Sequence, residues 1–228
     1  MKCKFIFTIL FTIFLKSTFS QKSERYIKFT PAFNNLPLKL NKKYRFKNDS
    51  LEISTLKFYI SNILLYQNET LIDFECKKYT LINFESPETS LIKFKTTNNK
   101  HFNRIALSIG IDSLTNVSGA LGEDLDPTKG MYWTWQSGYV NLKLEGKSKI
   151  CPSRNNEFSF HIGGYQLPFY SIQNVDFLIK NDEKIVFDLD ISKLLNGIKL
   201  NEVYEVVSPS KKANDIAEQF SNIFKVLE

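Results

Sequence analysis

Apolar and polar residues alternate with a period of two through short runs along most of this chain, and that pattern confines it to β-structure. In Val140-Asn141-Leu142-Lys143-Leu144-Glu145, the residues Val140, Leu142 and Leu144 fall on one face and Asn141, Lys143 and Glu145 on the other. Successive strand residues point to opposite sides, so such a run forms a half-buried strand. Leu91-Ile92-Lys93-Phe94-Lys95 repeats the pattern, and further candidate strands cover 26–30, 36–40, 51–53, 56–65, 70–74, 79–84, 104–111, 158–162, 171–179 and 184–189. Turn-forming pairs such as Asn34-Asn35, Asn98-Asn99 and Asn155-Asn156 lie between them. Many short strands at this spacing predict an all-β fold, an antiparallel β-sandwich. Pro37 has no N–H to donate, which places residues 36–40 at a sheet edge or in an extended loop. Two helices close the chain. A short one over 191–195 follows Asp190, and a longer one is expected over 210–227, where Ile216, Phe220, Ile223, Phe224 and Leu227 recur at helical spacing.

Residues 1–20 have the layout of a secretory signal peptide: Lys2 and Lys4, then the apolar run 5–15, then small residues at Thr18 and Ser20. That run is too short to span a bilayer, which takes about 20 apolar residues. Cleavage before Gln21 leaves one sandwich domain over 21–228, secreted or periplasmic. Removing Lys2, Lys4 and Lys16 also lowers the basic count from 30 to 27 against 24 acidic residues. A surplus so small and scattered argues against nucleic acid as a partner. The mature chain keeps Cys76 and Cys151, an even pair in an oxidising compartment, and a disulfide between them is expected. Closing a loop of ~75 residues would stabilise the fold by about 3–5 kcal/mol. Asn48, Asn68 and Asn116 head Asn-X-Ser/Thr triplets, which matter only in a host that glycosylates exported proteins.

The chemistry concentrates in the middle of the chain. Both tryptophans, Trp133 and Trp135, stand two residues apart, with Met131 and Ser137 beyond them, so an extended strand would put them on one face. Such a platform either packs a core or lines a site. His161 alternates with Phe160 and Ile162 and is expected on a polar face, before the Gly163-Gly164 pair; His101 is expected in an exposed loop. Asp112, Glu123, Asp124 and Asp126 form an acidic cluster in sequence, to be judged as a hydrolase or hard-cation site by separation in space. No Gly-rich phosphate loop, HExxH, GxSxG or CxxC occurs.

The segments LSIGIDSLTN (107–116), GALGEDLDPTKGMYWTWQSGYVNLKLEG (119–146) and FSFHIGGY (158–165) resemble the MbnP-like copper-binding proteins. LKFYISNILLY (56–66) and SPSKKANDIAEQFSNIF (208–224) extend the resemblance over 26–224. It implies an exported, non-catalytic β-sandwich that acts in copper acquisition or handling. In such proteins copper is held by two histidines and a kynurenine made from tryptophan by a di-haem partner of the peroxidase type. His161 matches the histidine of the FxFHxGG segment, and Trp133 and Trp135 match the tryptophans of the GMxWxW segment. Met131 could add a thioether, since imidazole and thioether both suit copper. Neither tryptophan has a histidine neighbour, so a two-histidine site here must pair His161 with His101. The alternative is a secreted binding module, in which Trp133, Trp135, Tyr132 and Tyr139 present an aromatic surface to a glycan or a protein.

Overall fold

A computed structural model describes residues 25–135, 138–180 and 182–227. The signal-peptide segment and Ser137 lie outside the described residues. The chain forms two sheets packed face to face, the sandwich that the alternation predicts. The first sheet carries β1 (Arg25–Phe33) at its centre. The second is built on β2 (Asp49–Gln67), a 19-residue strand that merges the expected runs at 51–53 and 56–65. After β2 come β3 (Tyr79–Asn83), β4 (Leu91–Thr96) and β5 (Arg104–Ile109). The middle of the chain supplies α1 (Ser113–Val117), β6 (Tyr132–Trp133), β7 (Gly138–Ser148) and β8 (Glu157–Gly163). The last part holds β9 (Gln173–Leu178), β10 (Lys184–Asp190), α2 (Ile191–Gly197), α3 (Lys211–Ser221) and β11 (Phe224–Leu227).

The first sheet runs β11-β10-β1-β4, and the second runs β9-β5-β2-β7-β8 with β3 and β6 paired onto β2 and β7. Most ladders are antiparallel as expected, but β1 pairs parallel with β10, Tyr26 against Lys184 through Ala32 against Asp190. The sheets are therefore mixed. Leu36–Pro37 makes only a two-residue edge pair with β1. Phenylalanines fill the space between the sheets: Phe29 stacks on Phe187 at 5.4 Å and meets Phe58 of the opposite sheet edge-on at 5.6 Å. Phe220 of α3 closes on Phe58 at 5.3 Å.

Two expectations are corrected. The long C-terminal helix ends at Ser221, and Phe224–Leu227 pairs with β10 instead. Ile216 and Phe220 sit on the buried helical face, whereas Phe-Lys-Val-Leu alternates and completes the edge of the first sheet. The disulfide is also absent: Cys76 and Cys151 both carry free thiols. Tyr79, three residues after Cys76, pairs with Ser61, whereas Ser148, three residues before Cys151, pairs with Leu51. Ten strand positions separate Ser61 from Leu51, about 33 Å. Two three-residue links cannot close that to the ~7 Å Cα limit for a disulfide. Burial pushes the Cys76 thiol up to about 11 and raises that of Cys151 as well. The intact mass will therefore not change on reduction, and alkylation in denaturant without reductant will label both residues. A gain of two hydrogens on reduction would overturn this.

Candidate functional site

Inner and outer faces of the second sheet differ sharply around β7 and β8. Leu142, Leu144, Phe160 and Ile162 point inward to the main core. On the outer face lie Lys143 and Glu145 of β7, Ser159, His161 and Gly163 of β8, and Thr55, Lys57 and Tyr59 of β2. The segment from Gly110 to Tyr139 folds over part of this outer face and makes a second apolar cluster of Tyr59, Leu81, Ile111, Leu125, Met131, Trp133, Tyr139 and Val140. His161 and Glu145 stand where that cover ends.

Asparagines hold the cover in place. Asn116, 2% exposed, donates to the carbonyls of Ile111 and Asp112, each at 3.0 Å, and accepts from the Tyr139 amide at 2.8 Å. Its place in a glycosylation triplet is therefore idle in the folded chain. Asn141 accepts from the Ile111 amide at 2.9 Å and donates to Ser171 at 2.9 Å. The bulge between Val140 and Leu142 breaks the simple alternation: Val140 joins the second cluster instead of the face of Leu142 and Leu144, and Asn141 is buried.

Trp133 lies across Gly163. A Cβ built on that glycine would sit 2.7 Å from the Trp133 ring and 2.6 Å from the Tyr139 carbonyl oxygen. His161 is two residues before Gly163, so its imidazole is on the same face, about 7 Å along the strand from the indole. Trp133 is buried, while Trp135 is 66% exposed. The strand that was to align them ends at Trp133, yet their rings remain adjacent at 5.8 Å.

The His161 side chain is 23% exposed, and its Nε2 lies 2.7 Å from Glu145 Oε1. Glu145 sits diagonally across the strand pair, opposite Ser159. The hydrogen bond from His161 is the main reason its carboxyl falls to about 2, helped against burial by the Thr55 hydroxyl and by Lys143, whose Nζ is 3.7 Å away. A carboxylate only accepts, so Nε2 carries a proton, and in the neutral imidazole the lone pair is left on Nδ1.

The other expected ligands do not join this group. Met131 is enclosed in the second apolar cluster at 0% exposure. His101 is exposed and bound through Nδ1 to Asp182 at 2.9 Å. It precedes Arg104, which pairs with Tyr66, whereas His161 pairs through Lys143 with Lys57. Nine positions of β2 separate those rows, placing the two histidines roughly 30 Å apart.

The acidic cluster is taken up by local structure. Asp112 caps α1 through the Thr115 amide and accepts from Tyr79 at 2.8 Å. Asp124 pairs with Lys77 and Lys129 at 3.3 and 3.0 Å, and Asp126 caps the turn at 127–129. Among the described residues no three His, Cys, Asp or Glu side chains gather where they could hold an ion. Glu145 escaped the sequence reading because only the β7–β8 register brings it to His161.

The MbnP family model matches residues 22–211. Among solved structures, MbnP from Methylosinus trichosporium matches with a TM-score of 0.60 at 12% identity, over 81% of this chain and 79% of that one. At that identity the likeness is one of fold. A search of curated proteins gave no significant match.

Proposed function

The chain belongs to the MbnP family, and from that premise we propose that it is an exported, non-catalytic copper-handling protein whose contact with copper is His161. The observation that carries this reading is the imidazole held by Glu145 at 2.7 Å on the face shared with Trp133. An imidazole oriented by a carboxylate is a common arrangement for a metal-binding histidine, the carboxylate fixing the tautomer and raising the basicity of the free nitrogen. The residues present fit a single-imidazole contact and not a two-histidine site within one chain. Copper is cargo here, bound and passed on. Trp135 is the open member of the tryptophan pair, so it is the one within reach of an oxidising partner of the di-haem peroxidase type. The layout of residues 1–20 supports export to the periplasm or the exterior.

Anaerobic Cu(I) titration against a chromophoric competitor tests the reading. The native chain is expected to take up copper, and His161→Ala to weaken uptake by at least roughly tenfold. No uptake by the native chain, or undiminished uptake by the variant, would overturn it. The exposure of Trp135 favours a second reading, in which the aromatic rim binds a glycan or a protein. Copper-free protein that still binds a partner through Trp135 would select that one.

A further inference from the structure

Charge is missing from the loops at one end of the molecule. Asp, Glu, Lys and Arg make up 24% of the chain, yet none occurs in 113–122, 130–142 or 158–175. The fold brings parts of all three stretches together around Tyr165. The Ser113 hydroxyl of α1 donates to the Tyr165 carbonyl at 2.7 Å. A Cβ built on Gly138 would lie 3.1 Å from the Tyr165 ring and 3.5 Å from the Asn116 side chain. Trp135 leans on Trp133, which covers Gly163, and the hairpin of Tyr165–Gln166 with Phe169–Tyr170 follows at once.

We propose that this end docks on the surface of an anionic phospholipid bilayer, with its apolar side chains at the acyl boundary and Lys211 and Lys212 over the headgroups. The proposal goes beyond the copper reading and does not rest on it. Of the twelve large apolar side chains exposed among the described residues, six are here: Leu114, Val117, Trp135, Leu167, Phe169 and Tyr170. They include all three aromatic rings of that set. Leu114 and Val117 stand three residues apart on α1 and so share a face. Leu167 at the hairpin tip is 89% exposed, and Leu114 is 74% exposed. These side chains protrude and enclose no ligand pocket. The depression between the hairpin and Pro209 holds about 190 Å³, under the ~300–1,000 Å³ of a small-molecule site.

Shape, hydrogen bonding and charge favour a bilayer over another protein. A fluid bilayer takes separate apolar tips without a matching surface, and amphipathic Trp and Tyr rings settle at the headgroup level. Groups that meet hydrocarbon must satisfy their hydrogen bonds internally, and those of this end do. Asn116 is bonded to Ile111, Asp112 and Tyr139, the Ser118 hydroxyl donates to the Leu114 carbonyl at 2.9 Å, and that of Ser171 to the Gly164 carbonyl at 3.3 Å. A protein interface instead carries roughly one hydrogen bond per 100–200 Å², for which these groups are already spent. Pro209 lies against Gly164, and Asn214 donates to the Pro168 carbonyl at 3.2 Å, which seats the first turn of α3 beside the hairpin. That turn exposes Lys211, paired with Asp215 at 3.1 Å, and Lys212. Residues 208–217 hold no other charged side chain, so the rim of the patch is net positive. Exposed apolar side chains beside basic ones are the pattern of interfacial membrane binding.

Co-sedimentation with vesicles of phosphatidylglycerol mixed with phosphatidylethanolamine tests this on the exported protein, without copper. The native chain is expected to pellet with them, less with phosphatidylcholine vesicles, and to be released by salt. Lipids brominated in the acyl chain should quench Trp135; Trp135→Phe, which leaves only the buried Trp133, should show no quenching. Leu114→Ser with Leu167→Ser should weaken binding at least roughly tenfold, with an unchanged thermal transition because both side chains are exposed in the native fold. Lys212→Ala should weaken binding to the anionic vesicles about fivefold and leave that to phosphatidylcholine unchanged. A native chain that does not pellet with the anionic vesicles would overturn the proposal and assign the patch to a protein partner. Pelleting that survives the double serine variant, or that leaves Trp135 unquenched, would also overturn it, because the contact would then lie elsewhere. None of these outcomes touches the copper reading, which stands or falls by its own titration.

Discussion

Replacing Gly163 with alanine will lower stability by roughly 2–3 kcal/mol, the upper part of the range for overpacking a tight contact, and will unseat Trp133. The added methyl would lie 2.6 Å from the Tyr139 carbonyl oxygen and 2.7–2.8 Å from two atoms of the Trp133 ring. The carbonyl belongs to the β7–β8 region of the ladder and cannot withdraw without breaking pairing, so the indole must move. Trp133 is also part of the second apolar cluster with Met131, Tyr59 and Tyr139, and its displacement opens that cluster to water. Chemical denaturation gives the stability change, and fluorescence gives the cause. Since the chain has two tryptophans, a Trp135→Phe background leaves Trp133 as sole emitter. Its emission, blue in the parent because the ring is buried, should shift red in the alanine variant. An unchanged midpoint together with unchanged emission would show that the indole does not depend on the bare glycine. If the copper reading holds, the same variant should bind copper less tightly although His161 and Glu145 are intact.

The limits of sequence reasoning follow from where information about each contact resides. Alternation in Val140 to Glu145 located a strand and sorted Leu142, Leu144, Lys143 and Glu145 to their observed faces. It failed at Val140, which joins the outer cluster instead of the face of Leu142 and Leu144, because a bulge between Val140 and Leu142 breaks the alternation there. Helical spacing in 210–227 was an overlap of two patterns, since Ile216 and Phe220 serve a helix while Phe224 opens a strand. The parallel pairing of β1 with β10 joins residues more than 150 positions apart and leaves no local trace. The same holds for the site. The family resemblance singled out His161 and the two tryptophans, and the period-2 pattern placed His161 on the polar face. Its partnership with Glu145 depends on register, a property of two strands together. The mutual distance of His161 and His101, and of Cys76 and Cys151, likewise depends on how far β2 extends without a break.

Acid will weaken the fold through Glu145, and the effect should vanish in Glu145→Gln. Its carboxyl is held near 2, against an ordinary value of 4.5, first by the hydrogen bond from His161. A carboxyl depressed in the folded state binds its proton more readily in the unfolded chain. Its stabilising contribution is therefore fully present above about pH 5, declines as pH falls through 4.5, and is gone near pH 2. At about 1.4 kcal/mol per pH unit between those two values, Glu145 should account for roughly 2 kcal/mol of the stability lost between pH 7 and pH 3. Because its side chain is 29% exposed, solvent screening reduces this to about 1–2 kcal/mol. Urea denaturation at a series of pH values, for the native chain and for Glu145→Gln, isolates the contribution as the difference between the two acid slopes. Other carboxylates, such as Asp112 and Asp124, are also held low by their partners; their slopes are common to both proteins and cancel. Parallel curves, with a difference under about 0.5 kcal/mol, would mean that His161 and Glu145 are not joined in the folded chain. The imidazole would then have lost the group that fixes its tautomer, on which the proposed copper contact depends.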